Sequence, residues 1–168
     1  MKTLKESILS STKTGKYFIN PKDIKTYDAA FEYAKFLYGD KVREEKTGLS
    51  SCTGKQFIIT FNKNLSMHVD CYNMSTHFFY IFFDGDKNMI WESDTLETNE
   101  VDWEVLLNPE KWCKEKTKLY TKLVKKYEKK AIKYYSDWGK RYEANQKAER
   151  YKRTLATIEY IKKESSNI

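Results

Sequence analysis

The spacing of the apolar residues changes twice along this chain, from helical to alternating and back to helical. Between residues 24 and 38 apolar side chains recur every three or four positions, as on one face of an α-helix. Short β-rich runs separated by polar turns fill 55–92, and helical spacing returns over 112–161. This order predicts an α+β protein, with an N-terminal helix on an antiparallel β-meander of four to six strands, followed by a long C-terminal basic helical hairpin.

Two Asn-Pro pairs predict helix starts, because Asn caps a helix and Pro at the first helical position gives up an N–H that has no partner there. The first pair, Asn20-Pro21, predicts a helix that ends at Gly39 and carries Ile24 on its apolar face. The second, Asn108-Pro109, predicts a long helix that turns near residues 136–139. The alternative is one helix that continues through Gly139, since a single Gly costs about 1 kcal/mol there. The apolar stripes of the two predicted C-terminal helices are Trp112, Leu119, Leu123, Tyr127, Ala131 and Tyr134, and then Tyr142, Ala148, Tyr151, Leu155, Ile158 and Ile161.

Four β-rich runs, 55–62, 65–72, 76–84 and 88–92, are predicted strands, and short connections between them indicate an antiparallel meander. In the second run Met67, Val69 and Cys71 alternate with polar residues, which predicts one buried face. The third run is apolar throughout from 78 to 83, so we expect a central strand that is covered on both faces.

The expected domain organisation is a flexible N-terminal segment at 1–15, an α+β sheet domain at 16–107 and a basic helical hairpin at 108–164, packed on or projecting from the sheet.

The cysteine and hydropathy patterns indicate where in the cell the protein is expected. The three cysteines have no CxxC spacing, which argues against a disulfide framework and favours a reducing compartment. With no signal-like or membrane-spanning run, we expect a soluble cytoplasmic protein without a membrane partner.

Charge is divided unevenly between the two halves of the chain. Residues 1–108 hold 13 Lys and Arg against 16 Asp and Glu, net −3, whereas 109–168 hold 18 against 8, net +10. Such a basic region predicts attraction to an acidic protein surface or to nucleic acid. Lys outnumbers Arg there 15 to 3, which favours non-specific attraction over readout of base edges. The competing interpretation is a solvated outer face over a Tyr-rich helical seam.

The candidate partner-binding residues are basic or aromatic positions of the predicted hairpin. They are Lys118, Lys122, Lys125, Lys126, Lys129, Lys130, Lys133, Tyr134, Lys140, Arg141, Arg150 and Arg153. Lys pairs with phosphate as a point charge, and a tyrosine beside it can stack on a base or pack on a partner.

Three groups of residues suggest chemistry, and each has a simpler structural interpretation. Gly15-Lys16 and Gly54-Lys55 lack the GxxxxGK spacing of a phosphate loop and lead into β-like sequence, so they predict turns. His68, Asp70 and His77 would make a bare three-ligand metal set, and a polar sheet face is the simpler interpretation. The third group, Asp70, Asp84, Asp86 and Lys87, resembles the constellation of restriction-type nucleases, but Gly85 stands where that motif needs an acid. We therefore predict no catalytic residue, no metal, no cofactor and no small-molecule substrate.

The segment Thr3–Lys16 (TLKESILSSTKTGK) resembles a short N-terminal segment that recurs on small proteins of bacteriophages and mobile elements of gut bacteria. The resemblance implies a phage accessory protein in the cytoplasm of a bacterial host, a class that includes structural components and inhibitors of host defence. Together with the charge pattern it predicts a non-catalytic binding protein that docks an acidic partner surface through its basic C-terminal helices. The alternatives are a non-specific nucleic-acid-binding protein and a small metal-dependent nuclease.

Overall fold

The computed structural model describes residues 24–46, 54–72, 77–97 and 99–166. The predicted flexible segment 1–15 and the predicted helix start at Asn20-Pro21 lie outside the described residues. The chain divides into two units, Met1–Leu107 and Asn108–Ile168, and the architecture is α+β, as predicted.

The first described helix, α1 (Tyr27–Tyr38), starts later than the sequence predicted. Thr26 is its cap, because the Thr26 hydroxyl accepts a hydrogen bond from the amide of Ala29 at 3.2 Å. Ile24 is buried but precedes the helix, so its predicted place on the helical face is wrong. The predicted end is confirmed: Gly39 follows the helix with φ 55°, a left-handed conformation that glycine adopts without strain. A 3₁₀ turn, Gly39–Lys41, leads into the sheet.

Six strands form the antiparallel sheet, which confirms the predicted meander. They are β1 (Val42–Lys46), β2 (Lys55–Asn62), β3 (Leu65–Tyr72), β4 (His77–Asp84), β5 (Met89–Glu92) and β6 (Leu96–Glu97). Neighbours in sequence are neighbours in the sheet from β1 to β5, and β6 pairs with β4. Two of these strands, β1 and β6, were not among the four predicted runs.

One face of the sheet forms the core of the first unit. In β3 the predicted alternation is confirmed, since Met67, Val69 and Cys71 are buried. The interior position of β4 is confirmed as well, but its predicted cover on both faces is wrong: Phe78, Tyr80 and Phe82 are buried, whereas the alternate residues are half-buried. The rings of Tyr27 and Phe31 in α1 lie 5.4 and 5.8 Å from that of Phe57, so α1 covers the buried face.

A four-residue helix, α2 (Trp103–Leu106), follows β6. Asp102 caps it by accepting a hydrogen bond from the amide of Val105 at 3.2 Å. The buried indole of Trp103 stacks on Phe78 at 4.7 Å between ring centroids, so one aromatic side chain ties this helix to the sheet.

The second unit consists of two long helices, α3 (Pro109–Lys133) and α4 (Trp138–Ser165). Contacts between Cys113 and Ile158, between Tyr120 and Tyr151, and between Tyr127 and Lys147 pair rising residue numbers in α3 with falling numbers in α4. These contacts run along most of α3, and the two helices form the predicted antiparallel hairpin. The chain turns at 134–137, so the alternative of one continuous helix is wrong.

Asn108 and Asp137 begin the two helices. Each side chain accepts a hydrogen bond at 3.1 Å from the backbone amide three residues on, those of Lys111 and Lys140. The predicted Asn-Pro start of α3 is thus confirmed. At about 1.5 Å per residue, 25 and 28 residues make helices of about 37 and 42 Å.

The seam between α3 and α4 agrees with the predicted apolar stripes at five buried positions, which are Trp112, Ala131, Ala148, Ile158 and Ile161. It differs at Leu119 and Tyr142, which were placed on the stripes but are 46% and 52% exposed. Val124 and Ala144 are also buried and were not part of the predicted stripes. Tyr151 lies between Tyr120 and Tyr127, at 5.7 and 5.6 Å between ring centroids.

Candidate acidic-partner interface

Six lysines of α3 line up along one side of the helix, and we call them the lysine face. They are Lys114, Lys118, Lys122, Lys125, Lys129 and Lys133. Spacings of three and four residues keep side chains on one side of an α-helix, and at about 1.5 Å per residue the face extends for about 28 Å. All six residues are exposed. At about 100° per residue, the seam positions Tyr120, Val124 and Tyr127 fall on the far side of α3.

The lysine face makes no ion pair with any carboxylate of the described residues, whereas other lysines of the hairpin do. Lys152 pairs with Glu128 at 3.1 Å and with Glu149 at 2.9 Å. Its hydrogen bonds to Glu149 and then to Glu128 raise the pKa of Lys152. Lys140 pairs with Asp137 at 3.0 Å. These lysines of the hairpin, which pair with carboxylates, therefore lie outside the lysine face.

Three other predicted site residues, two on α3 and one at the start of α4, are held against aromatic rings. The ammonium groups of Lys126 and Lys130 lie 5.8 and 5.3 Å from the ring centroid of Tyr127, and Lys140 lies 5.8 Å from that of Tyr134. Such cation–π contacts contribute about 0.5–1 kcal/mol at exposed sites. These cations are therefore partly engaged within the hairpin.

On α4 the predicted cations do not form a comparable array. Arg150 and Arg153 are exposed and lie three residues apart. The guanidinium of Arg141 lies 5.2 Å from the ring centroid of Tyr135. The structure thus aligns five of the predicted lysines of α3, adds Lys114 to them, and leaves the predicted cations of α4 scattered.

Four large apolar side chains surround the turn between the helices, and we call them the aromatic tip. They are Ile132, Tyr135, Trp138 and Tyr142, which are 76%, 77%, 75% and 52% exposed. The rings of Trp138 and Tyr142 are stacked, with 5.4 Å between centroids and 14° between planes. Sequence reasoning missed this cluster because it assigned Tyr142 to a buried stripe. The signal was present: apolar residues flank a predicted helix break, where a two-helix hairpin has no seam to bury them.

The carboxylate of Asp137, within the same turn, is already engaged. Its Oδ1 accepts the backbone N–H of Lys140, and its Oδ2 pairs with the ammonium of the same residue. Hydrogen bonds from the Lys140 backbone and side chain lower the pKa of Asp137, which keeps the carboxylate charged and paired. Arg141 lies beside the aromatic tip, and Ile132 and Tyr135 share a groove with Glu128 and Glu149, whose carboxylates pair with Lys152.

The sheet residues considered as metal ligands have separate partners. His68 lies 4.3 Å from the ring of Phe83 between centroids, and Asp70 accepts a hydrogen bond from Gln56. His77 lies 3.5 Å from Glu97. No group of three or more potential metal-binding side chains occurs among the described residues.

Nor are the acids of the nuclease-like set close together. Asp70 is opposite Phe79 in the register of β3 and β4, five residues from Asp84, which corresponds to about 17 Å along the strand. Asp84 accepts hydrogen bonds from the amides of Asp86 and Asn88, and those from Asn88 are the main cause that lowers its pKa. Asp84 therefore stabilises the turn after β4.

The second Gly-Lys pair leads into a strand, as predicted. Lys55 is the first residue of β2, and its ammonium pairs with Asp28 at 3.2 Å. A phosphate loop needs a helix at this point. The first pair, Gly15-Lys16, lies outside the described part of the chain.

Fold and surface together define an α+β protein with a C-terminal helical hairpin whose lysine face and aromatic tip are exposed. No protein-family model matches the chain, and comparisons with curated proteins and with solved structures find no match. Among the described residues, no helix combines the length and apolar character needed to cross a lipid bilayer.

Proposed function

We propose that this chain is a non-catalytic binding protein that docks an acidic partner surface, protein or nucleic acid, through the lysine face of α3. The observation that supports the proposal is the alignment of six exposed lysines that pair with no carboxylate of the described residues. The role implied by the N-terminal resemblance, that of a phage accessory or host-defence inhibitor protein, stays a prediction.

The alignment is unfavourable for the isolated helix. Like charges three or four residues apart on a helix destabilise it by about 0.2–0.5 kcal/mol per pair. The lysine face contains five such consecutive pairs, from Lys114–Lys118 to Lys129–Lys133. Because the arrangement opposes helix stability, an acidic partner that offsets the repulsion is a better explanation for it than stability of the hairpin.

The residue type indicates the mode of binding. The helix α3 contains no arginine, so every cation of this surface is a lysine. Lysine offers a compact point charge, whereas arginine forms the bidentate contacts that recognise carboxylate planes and guanine edges. The lysine face is therefore suited to attraction along an extended polyanion rather than to recognition of one sequence.

The experiment compares two variants that lose the same charge from exposed helical positions. Lys125→Gln/Lys129→Gln removes two charges from the lysine face, and Arg150→Gln/Arg153→Gln removes two from α4. Binding of fluorescent mixed-sequence DNA and of fluorescent poly-glutamate is measured by anisotropy across about 50–200 mM salt. We expect the first variant to weaken binding more than the second.

On single-stranded DNA, each lysine that contacts a phosphate adds about 0.7 to the steepness of the plot of log affinity against log salt. The loss of two lysines should therefore reduce the slope by about 1.4. Equal losses in the two variants would mean that net charge alone governs binding. Failure of wild type to bind either polyanion would overturn the proposed function.

A further inference from the structure

We propose that the acidic partner is single-stranded nucleic acid, whose phosphates lie along the lysine face and whose bases stack on the aromatic tip. This inference rests on the proposed function and adds the class of the partner. It starts from the exposure of Tyr135 and Trp138, which are 77% and 75% exposed on the same turn. Clustered exposed aromatic side chains indicate a contact surface, whereas single exposed apolar residues are ordinary.

The lysine face leads directly to the tip. Ile132 follows Lys129 by three residues and Lys125 by seven, so it continues the same line along α3. Lys133 is its neighbour in sequence. A polyanion that follows the lysine face toward the end of α3 therefore reaches the aromatic side chains within one helical turn.

The tip has open aromatic faces of the kind that bind bases. Trp138 and Tyr142 are nearly parallel, and the large exposed fraction of Trp138 leaves much of its indole free. The guanidinium of Arg141 lies over Tyr135 and places a cation beside the second ring. Stacking of a base on an aromatic side chain contributes about 1–3 kcal/mol and tolerates any sequence.

Single-stranded nucleic acid fits both features better than the other polyanions. An acidic protein segment offers charge but has no regular series of π faces. A duplex offers regular charge, but its bases are stacked on each other and are not available to the tip. An anionic membrane presents charge in a plane, whereas the lysine face is a line of about 28 Å along one helix.

The test uses the full chain and four probes: mixed-sequence single-stranded DNA, the duplex of the same sequence, vesicles that contain phosphatidylserine, and poly-glutamate. The variant Trp138→Ala/Tyr142→Ala removes both stacked rings. We expect its affinity for the single strand to fall about 5- to 150-fold, from the loss of one stacked base. Its affinity for the duplex should stay unchanged.

Two controls separate stacking from loss of apolar surface. Trp138→Phe keeps an aromatic face and should retain most of the binding. Leu119→Ala removes an exposed apolar side chain of α3 that lies outside the tip, and it should leave binding unchanged. Circular dichroism melting checks that each variant keeps its helices.

The outcomes distinguish this inference from the proposed function. If Lys125→Gln/Lys129→Gln weakens binding to single strand and duplex while the tip variant changes neither, the lysine face remains a docking site and the single-strand assignment is overturned. Binding to vesicles but not to DNA would assign the tip to a membrane surface and would also overturn the single-strand assignment. Binding to poly-glutamate alone would assign the surface to an acidic protein, with the same consequence.

Discussion

Burial shifts the pKa values of two ionisable residues of β3 in opposite directions. It lowers the pKa of His68, because a half-buried site disfavours the imidazolium ion, with smaller and opposing effects of Glu45 and Arg43. It raises the pKa of Asp70, because the same environment disfavours the carboxylate, and the hydrogen bond from Gln56 offsets part of that effect. The half-covered face of the sheet therefore disfavours the charged form of both side chains.

The substitution Asp70→Asn tests this effect. The folded-state pKa of Asp70 lies above its ordinary value of 3.8, so the stabilising contribution of the protonated form is present below pH 3.8 and is lost as the pH rises through the folded-state value. Asn is neutral and keeps an oxygen that accepts from Gln56. We expect the variant to have a higher free energy of unfolding than wild type at pH 7, with the difference narrowing toward pH 3.8.

Urea unfolding at a series of pH values measures this difference, and the exposed Asp94→Asn serves as the matched control. A lower free energy of unfolding for Asp70→Asn at pH 7 would show that the carboxylate makes a favourable interaction in the folded state.

At the scale of elements, helix starts were more predictable than helix faces. The Asn108-Pro109 signal acts within one turn, and the structure confirms it. Which face of α3 is buried depends on α4, and α3 offers more than one apolar series at helical spacing. Leu119 and Tyr120 are neighbours in sequence, but Leu119 is 46% exposed whereas Tyr120 contacts Tyr151 of α4.

Asp137 is the cap that allows the hairpin to restart as α4. Replacement by Ala removes the acceptor for the Lys140 amide, and we expect a loss of about 1 kcal/mol in the free energy of unfolding. Asp137→Asn keeps a capping oxygen without the charge and should lose much less. Thermal and urea unfolding of the three proteins measure this; equal losses in both variants would assign the effect to the ion pair with Lys140 rather than to the cap.

At the scale of the whole molecule, the distribution of charge along the chain matters more than the net charge. The net charge is +7 and the isoelectric point about 9.1. The +10 of residues 109–168 coexists with −3 over 1–108, so attraction to a polyanion depends on where the charge lies.

Binding near the isoelectric point distinguishes local charge from net charge. Lysine side chains in general lose their protons only near pH 10 and above. We therefore expect affinity for single-stranded DNA to change little between pH 7.5 and pH 9 at constant ionic strength, although the net charge of the chain approaches zero. Anisotropy titrations at the two pH values measure this, and a loss of binding that follows the net charge would contradict a local docking surface.

Local patterns in the sequence determined the α+β class, the antiparallel meander, the long basic helices and the break between them. These features depend on interactions within a few residues: alternation in β3, caps at Asn108 and Asp137, and three- and four-residue spacing. Only the tertiary structure decided that the six lysines of the lysine face are exposed and pair with no carboxylate of the described residues, while the predicted cations of α4 form no comparable array. It also decided that Trp138 and Tyr142 remain exposed, because exposure depends on what the neighbouring helix covers, and spacing along one helix does not contain that information.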